Sequence, residues 1–326
     1  PHNTSRLSSA ASDVYKRQVV GAGINGASIA RDAALRGYRV ALLDQHDFGW
    51  GTSSRSSRLI HGGLRYLEMG EIGLVFESVS ERARLARLAR HIVRPLPFIA
   101  PIYREDKLPL FMVDAGLWLY DALALFRNYR VHKRLGRRAV AVKLPGIRGV
   151  GLSGGVHYYD YQTDDARLVL ENALGAMEAG AAVFTRCRVE GFEYRQRHAR
   201  AAVARDLLGG DSFAVRGRVF ICAAGPWTDR LLELTNRSES WLQPTKGTHL
   251  VIPRRRLRID TAVVMRHPQD RRAMFALPFP EHPVVGTPDT DYDGTPEDVT
   301  ATAEDVRYLL DAVRHYFPLA TTDPAD

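Results

Sequence analysis

The sequence predicts an α/β protein in which a Rossmann-like dinucleotide domain is interleaved with a sheet-rich α+β domain. Three observations carry this reading. Residues 19–44 pass through strand, glycine turn, helix and second strand, ending on Asp44. A much later strand ends on small residues and turns into a helix at "CAAGPW" (222–227). The last third alternates short strands with proline turns: "GTHLVIP", "AMFALPFP" and "HPVVGTPD". Helices and strands that alternate early, followed by strands that cluster late, place two architectures in one chain.

The 326 residues, 45% of them apolar, are enough for one large core or two ordinary ones. A net charge of +8 favours an anionic partner: nucleic acid, an acidic lipid surface or a phosphorylated metabolite. The basic residues are spread widely, as in "ERARLARLAR" (81–90), which reads as a solvated helix face. No basic stretch is interleaved with aromatics for base stacking, so nucleic acid is not expected. Two cysteines, Cys187 and Cys222, make no disulfide framework and no metal site, which fits a reducing compartment. The most apolar stretch, 108–126, is broken by Asp114 and Asp121 and falls short of the ~18 residues of a spanning helix. The protein is expected to be soluble or to lie on a membrane.

Taken in order, residues 1–18 are polar and serine-rich, without either period, and read as a tail. Only Val19 and Val20 remain as apolar strand residues before Gly21. A helix over 24–36 ends at Gly37, and a strand follows over 39–43. A small, polar loop (49–63) leads to a long helix over 64–91. Pro95, Pro97 and Pro101 predict a turn into a helix at 109–126, then a basic, irregular stretch over 127–155. Residues 164–181 carry helical spacing, acids in the first turn and Gly180 at the end. Strands over 182–195, 200–207 and 214–222 and a final helix over 303–316 complete the pattern.

Gly21-Ala22-Gly23-Ile24-Asn25-Gly26 matches G-x-G-x-x-G, and Asp44 lies 18 residues past Gly26. Gly21 allows a tight exit from the strand, Gly23 lets backbone N–H groups approach a pyrophosphate, and Gly26 lets the helix pack closely. The helix N-terminus offers unpaired donors to the phosphates, and Asp44 can accept from ribose hydroxyls. This unit leaves FAD and NAD undecided. The "CAAGPW" turn, a second close-approach site far along the chain, fits the longer FAD better.

With "GAGINGASIARDAALRG", "TSSRSSRLIHGGLRYLE" (52–68), "DDARLVLENA", "AAGPW", "KGTHLVIP" and "GTPDTDYDG" in order, the chain closely resembles the FAD-dependent, quinone-linked glycerol-3-phosphate dehydrogenases. The resemblance implies an FAD domain of the amino-acid-oxidase type over 19–77 and 156–228. An inserted substrate domain would take 78–155 and 229–326. It implies FAD contacts at Gly21, Gly23, Asn25, Gly26, Asp44, Thr52, Ser53, Ser54, Ser57, His61, Gly62, Gly63, Val189, Ala224 and Gly225. Arg65 and Tyr66 would meet the substrate phosphate, and His249 and His61 are the candidates for proton transfer. The implied partners are glycerol 3-phosphate, a quinone and an anionic membrane surface, with a homodimer open. The location would be cytoplasmic, on the inner face of the cell membrane. A glycerol-3-phosphate oxidase, or another oxidase of the same flavin fold, is the alternative.

Three departures from the family pattern stand out. Lys16-Arg17-Gln18 occupy what should be an apolar strand, so residues 1–18 are read as foreign to the fold. The family carries a third FAD segment, with arginine and glycine-lysine-threonine motifs, beyond the point where this chain ends. Pro288 stands where threonine is usual. The chain alone is therefore expected to hold flavin weakly and to behave as an inactive fragment.

Overall fold

The computed structural model describes residues 14–63, 70–125, 128–235 and 239–320. They form two compact units, the first from 1–56 and 164–244, the second from 57–163 and 245–326. The first unit opens with β1 (Val14–Val20), α1 (Ile24–Leu35) and β2 (Val40–Leu43). The second takes β3 (Leu59–Ile60), α2 (Ile72–Leu88), β4 (Arg94–Tyr103), α3 (Leu110–Leu123), β5 (Lys133–Gly136), α4 (Arg137–Lys143) and β6 (Leu152–Gln162). The first resumes with α5 (Asp165–Glu178), β7 (Ala182–Phe184), β8 (Cys187–Arg195), β9 (His198–Asp206), β10 (Ser212–Cys222) and α6 (Thr228–Glu233). Strands β11 (Thr245–Lys246), β12 (Leu250–Val251), β13 (Ala262–Arg266), β14 (Ala273–Leu277), β15 (Val284–Gly286) and β16 (Thr290–Asp291) then lead to α7 (Ala303–Tyr316) in the second.

The first unit is a six-stranded sheet in the order β7-β2-β1-β10-β9-β8. Strand β1 runs parallel to β2 and β10, with Val19 opposite Leu42 and Ile221. The pleat sends Leu42 to one face, with Val19, Ala30, Ala34 and Ala176. It sends Ala41 and Leu43 to the other, with Val189, Ala202, Ala204 and Val215. Alanines at 27, 30 and 34 are the buried positions of α1 besides Gly26, so only small side chains separate this helix from its neighbours.

The strand that looked curtailed in sequence is seven residues long, and residues 14–18 belong to it rather than to a tail. Pairing on both sides supplies what apolar content does not: Arg17 and Gln18 sit in register with Val40 and Ala41 on one flank and with Val219 and Phe220 on the other. Gln18 is fully buried and its side-chain amide donates to the Val215 carbonyl. Arg17 lies 4.5 Å over the Tyr38 ring. Residues 1–13 lie outside the described residues.

The second unit holds an eight-stranded sheet in the order β12-β15-β14-β13-β4-β6-β3, with β5 also on β6. The prolines at 95, 97 and 101 do not make a turn; they sit inside β4, antiparallel to β6 over its length. All three have the same parity, so their missing N–H groups fall on one side of the strand and the alternate donors remain for pairing. The stretch 127–155 contains β5 and α4, and of the helix expected over 64–91 the described residues show Ile72–Leu88, while 64–69 lie outside them. Helix α7 starts with a capping box, in which the Thr302 hydroxyl accepts from Asp305 N and the Asp305 carboxylate accepts from Thr302 N.

Candidate functional site

In the first unit, Gly21 leaves β1 at φ +107, a left-handed conformation that suits glycine, and a Cβ there would stand 2.3 Å from the Ala223 carbonyl oxygen. A Cβ at Gly26 would stand 1.8 Å from the Gly21 carbonyl oxygen, so α1 seats directly on the turn that precedes it. Gly23 is the N-cap of α1 and faces the Ser53 hydroxyl, which accepts the Ile24 N–H at 3.0 Å. The N–H groups of Asn25 and Gly26, in the first turn, have no intrahelical acceptor.

Asp44 closes the turn from the end of β2. One carboxylate oxygen accepts the Ala22 N–H at 2.6 Å and the other accepts the His46 N–H at 2.7 Å. The sequence offered Asp44 as a ribose partner; the structure adds that it also ties the glycine turn to the second strand.

The loop after β2 brings further candidates to this unit. Thr52, Ser53 and Ser54 form a short 3-10 turn, and the Ser54 hydroxyl donates to backbone carbonyls of Trp50 and Gly51. Ala224 and Gly225 begin a second such turn past β10, with Gly225 at φ +56. His46 stacks on Trp50 at 3.7 Å, Trp227 lies 5.8 Å from Trp50, and a Cβ on Gly51 would meet Trp227 at 2.9 Å. These aromatics had no place in the sequence reading, because residues 50 and 227 meet only once β10 lies beside β1. Val189 is buried in the sheet core, which leaves only its backbone for a ligand.

In the second unit, the His249 Nε2 and the Ser57 Oγ are 2.9 Å apart. His249 is half-buried, and burial lowers its pKa below the ordinary histidine value, which favours the neutral imidazole. His61 is exposed, and its Nδ1 accepts the Gly63 N–H at 3.2 Å, so in the neutral ring the proton sits on Nε2. Gly62 donates its N–H to the Asp160 carboxylate at 3.1 Å. A Cβ on Gly62 would stand 1.8 Å from the Tyr120 hydroxyl oxygen. Asp160 in turn pairs with the buried Arg82. Neither Arg82 nor Asp160 was visible as a site residue in sequence. Arg65 and Tyr66 lie outside the described residues.

A family model described as FAD dependent oxidoreductase (DAO) matches residues 18–325. The chain belongs to this family. Among curated relatives, the chain is 38% identical over 307 residues to an alpha-glycerophosphate oxidase of Streptococcus pneumoniae, covering 92% of this chain and 50% of the relative. It is 37% identical over 306 residues to an aerobic glycerol-3-phosphate dehydrogenase of Staphylococcus haemolyticus, covering 93% and 55%. Among solved structures, the glycerol-3-phosphate dehydrogenase from Bacillus halodurans complexed with FAD superposes with a TM-score of 0.82 at 30% identity. That match covers 99% of this chain and 57% of the solved one. The chain thus spans about half the length of the curated relatives it matches.

The resemblance and fold class read from the motifs are those found. FAD is the cofactor of the FAD-dependent oxidoreductase family, and the glycine turn fits it: at Gly21 and Gly26 neighbouring backbone stands where a Cβ would be, and Gly23 caps a helix whose first N–H groups have no intrahelical acceptor. No helix among the described residues is long and apolar enough to cross a membrane.

Proposed function

We propose that this chain carries the flavin- and substrate-handling part of a flavoprotein that oxidises sn-glycerol 3-phosphate to dihydroxyacetone phosphate and passes the electrons to quinone. The observation that carries the reading is the cradle at Gly21, Gly23 and Gly26, with Asp44 fastened to its turn. The FAD-binding domain would take 19–77 and 156–228, and the substrate domain 78–155 and 229–326. Gly21, Gly23, Asn25, Gly26, Asp44, Thr52, Ser53, Ser54, Val189, Ala224 and Gly225 would hold FAD on the first unit. Ser57, His61, Gly62 and Gly63 are further candidates for FAD contact.

Bound FAD would supply the acceptor for hydride from the alcohol carbon. The protein has to place that alcohol and take its proton, a task worth roughly 10²–10⁴-fold to a positioned base. His249 is our proton acceptor, because burial keeps it neutral and Ser57 fixes its Nε2. His61, with its Nδ1 occupied by Gly63, offers an N–H at Nε2. Arg65 would clamp the phosphate, since a guanidinium fork matches its oxygens, and Tyr66 would add a hydroxyl donor.

The test is anaerobic addition of glycerol 3-phosphate to a complete, FAD-loaded enzyme that contains this chain. Bleaching of the visible flavin band supports the reading, and an unchanged band overturns it. Arg65→Ala should raise the glycerol 3-phosphate needed for bleaching by at least about tenfold, the loss of a charge-assisted pair, with FAD affinity unchanged. A second reading, oxygen as the acceptor, is favoured by the relative named as an oxidase. Reoxidation of the bleached protein by air rather than by a quinone analogue would select it.

We also place the protein on an anionic membrane surface, on the cytoplasmic face. Helix α3 leaves Phe111, Met112, Trp118 and Leu119 exposed, beside exposed Arg130, Lys133 and Arg134. Phe126, the last residue of the apolar stretch 108–126, lies outside the described residues. Flotation with anionic vesicles should weaken in Trp118→Glu and Lys133→Glu; equal flotation removes this surface from the account.

A further inference from the structure

We propose that Asp160 and Arg82 are positioning residues for the His61–Gly62–Gly63 loop, and this rests on the role given above to that loop. Asp160 lies in β6 and Arg82 in α2, with side-chain exposures of 5% and 2%. Their ion pair is closed by Tyr120, whose hydroxyl accepts from Arg82 at 2.7 Å and donates to Asp160 at 3.4 Å. Gly62 then donates its N–H to the same carboxylate oxygen at 3.1 Å. The absent side chain at Gly62 is what allows this approach, since a Cβ would meet both Tyr120 and Val79 within 2.7 Å.

A buried ion pair is a poor device for stability, because desolvation of both charges offsets their attraction. What this pair adds is a charged acceptor, fixed in place, for one loop N–H; hydrogen bonds to a carboxylate are about twice as strong as neutral ones. Arg82 is fixed in its turn. Its second nitrogen donates to Asn128, Asn128 donates to Asp121, and Asp121 accepts the His132 backbone N–H at 3.1 Å and ring Nδ1 at 2.7 Å. The His132 Nε2 reaches Asp114 at 3.3 Å. Burial works against the charge on Arg82, but Tyr120 and Asp160 more than offset it and raise its pKa, so the guanidinium stays charged. One connected set of partners, from α3 through α2 to β6, ends on the loop backbone.

The test compares two double variants of the full chain, because losing one charge alone would strand the other. Arg82→Leu with Asp160→Leu removes the charges and the acceptor. Arg82→Gln with Asp160→Asn removes the charges but keeps a carbonyl acceptor for Gly62. Thermal midpoint, hydrogen exchange of the Gly62 amide and the FAD dissociation constant are read in each. In the leucine pair we expect Gly62 exchange to be at least about tenfold faster and FAD binding about tenfold weaker, with the fold retained. In the amide pair both should stay near the parent.

Unchanged exchange in the leucine pair, or equal acceleration in both pairs, overturns the anchor. Faster exchange with unaltered FAD affinity overturns the positioning role. If the parent itself binds no FAD, the flavin reading fails, while exchange still decides the anchor. If the leucine pair does not fold, Arg82→Gln with Asp160→Ala carries the same comparison.

Discussion

Gln18 occupies a fully buried position in β1 where its amide nitrogen has a carbonyl partner and its amide oxygen has none among the described residues. A stranded acceptor costs about 1–3 kcal/mol, so Gln18→Ile should stabilise the first unit by about that amount in a denaturant titration. A lower midpoint would mean that the cavity around residue 18 is shaped for the amide. At His249, burial lowers the pKa, so the neutral, proton-accepting form persists below the ordinary value of about 6.5. The acid limb of kcat/KM should therefore lie below that pH and disappear in His249→Gln; a limb at or above it would remove His249 as the acceptor. The glycines of the turn were legible because the turn and the helix it opens lie within six residues: Gly21 takes a positive φ, and Gly26 packs on the Gly21 carbonyl. Asp160 was not, because it gains meaning only when β6 brings it to Gly62, 98 residues away.

Elements with a regular period and a marked end were read nearly in full. Helix α7 is the best case: Thr302 and Asp305 make its capping box, as their spacing allows. Thr302→Ala should cost about 1 kcal/mol by urea denaturation, and no change would show that the cap is satisfied otherwise. Burial pulls the Asp305 carboxyl upward, but hydrogen bonds from Lys246 and Thr302 prevail and lower its pKa. The sign follows: this contribution is present above the unfolded carboxylate value of about 3.9 and is lost as pH falls through the folded one. Lys246→Met should flatten that acid dependence, and an unchanged pH profile would contradict it. Strand β4 was missed because proline is a breaker only when its lost donor is needed, and pairing shows which donors are needed. Strand β1 was underestimated for a related reason. Its length is set by β2 and β10 on either side, which composition does not reveal.

At the scale of the molecule, the family was legible because its motifs occur in order along the chain, and the match to the FAD-dependent oxidoreductases covers residues 18–325. Electron acceptor and membrane contact were less accessible, since neither is written in a local motif, and relatives bear the names of both a dehydrogenase and an oxidase. We take the glycine cradle as the seat of a flavin dinucleotide. The most direct measurement is an equilibrium titration of FAD into this chain, followed by flavin fluorescence and repeated with ADP as competitor. The account predicts saturable, one-to-one binding that ADP displaces, because the cradle holds the diphosphate that both share. Fluorescence that never changes, or binding indifferent to ADP, would contradict it.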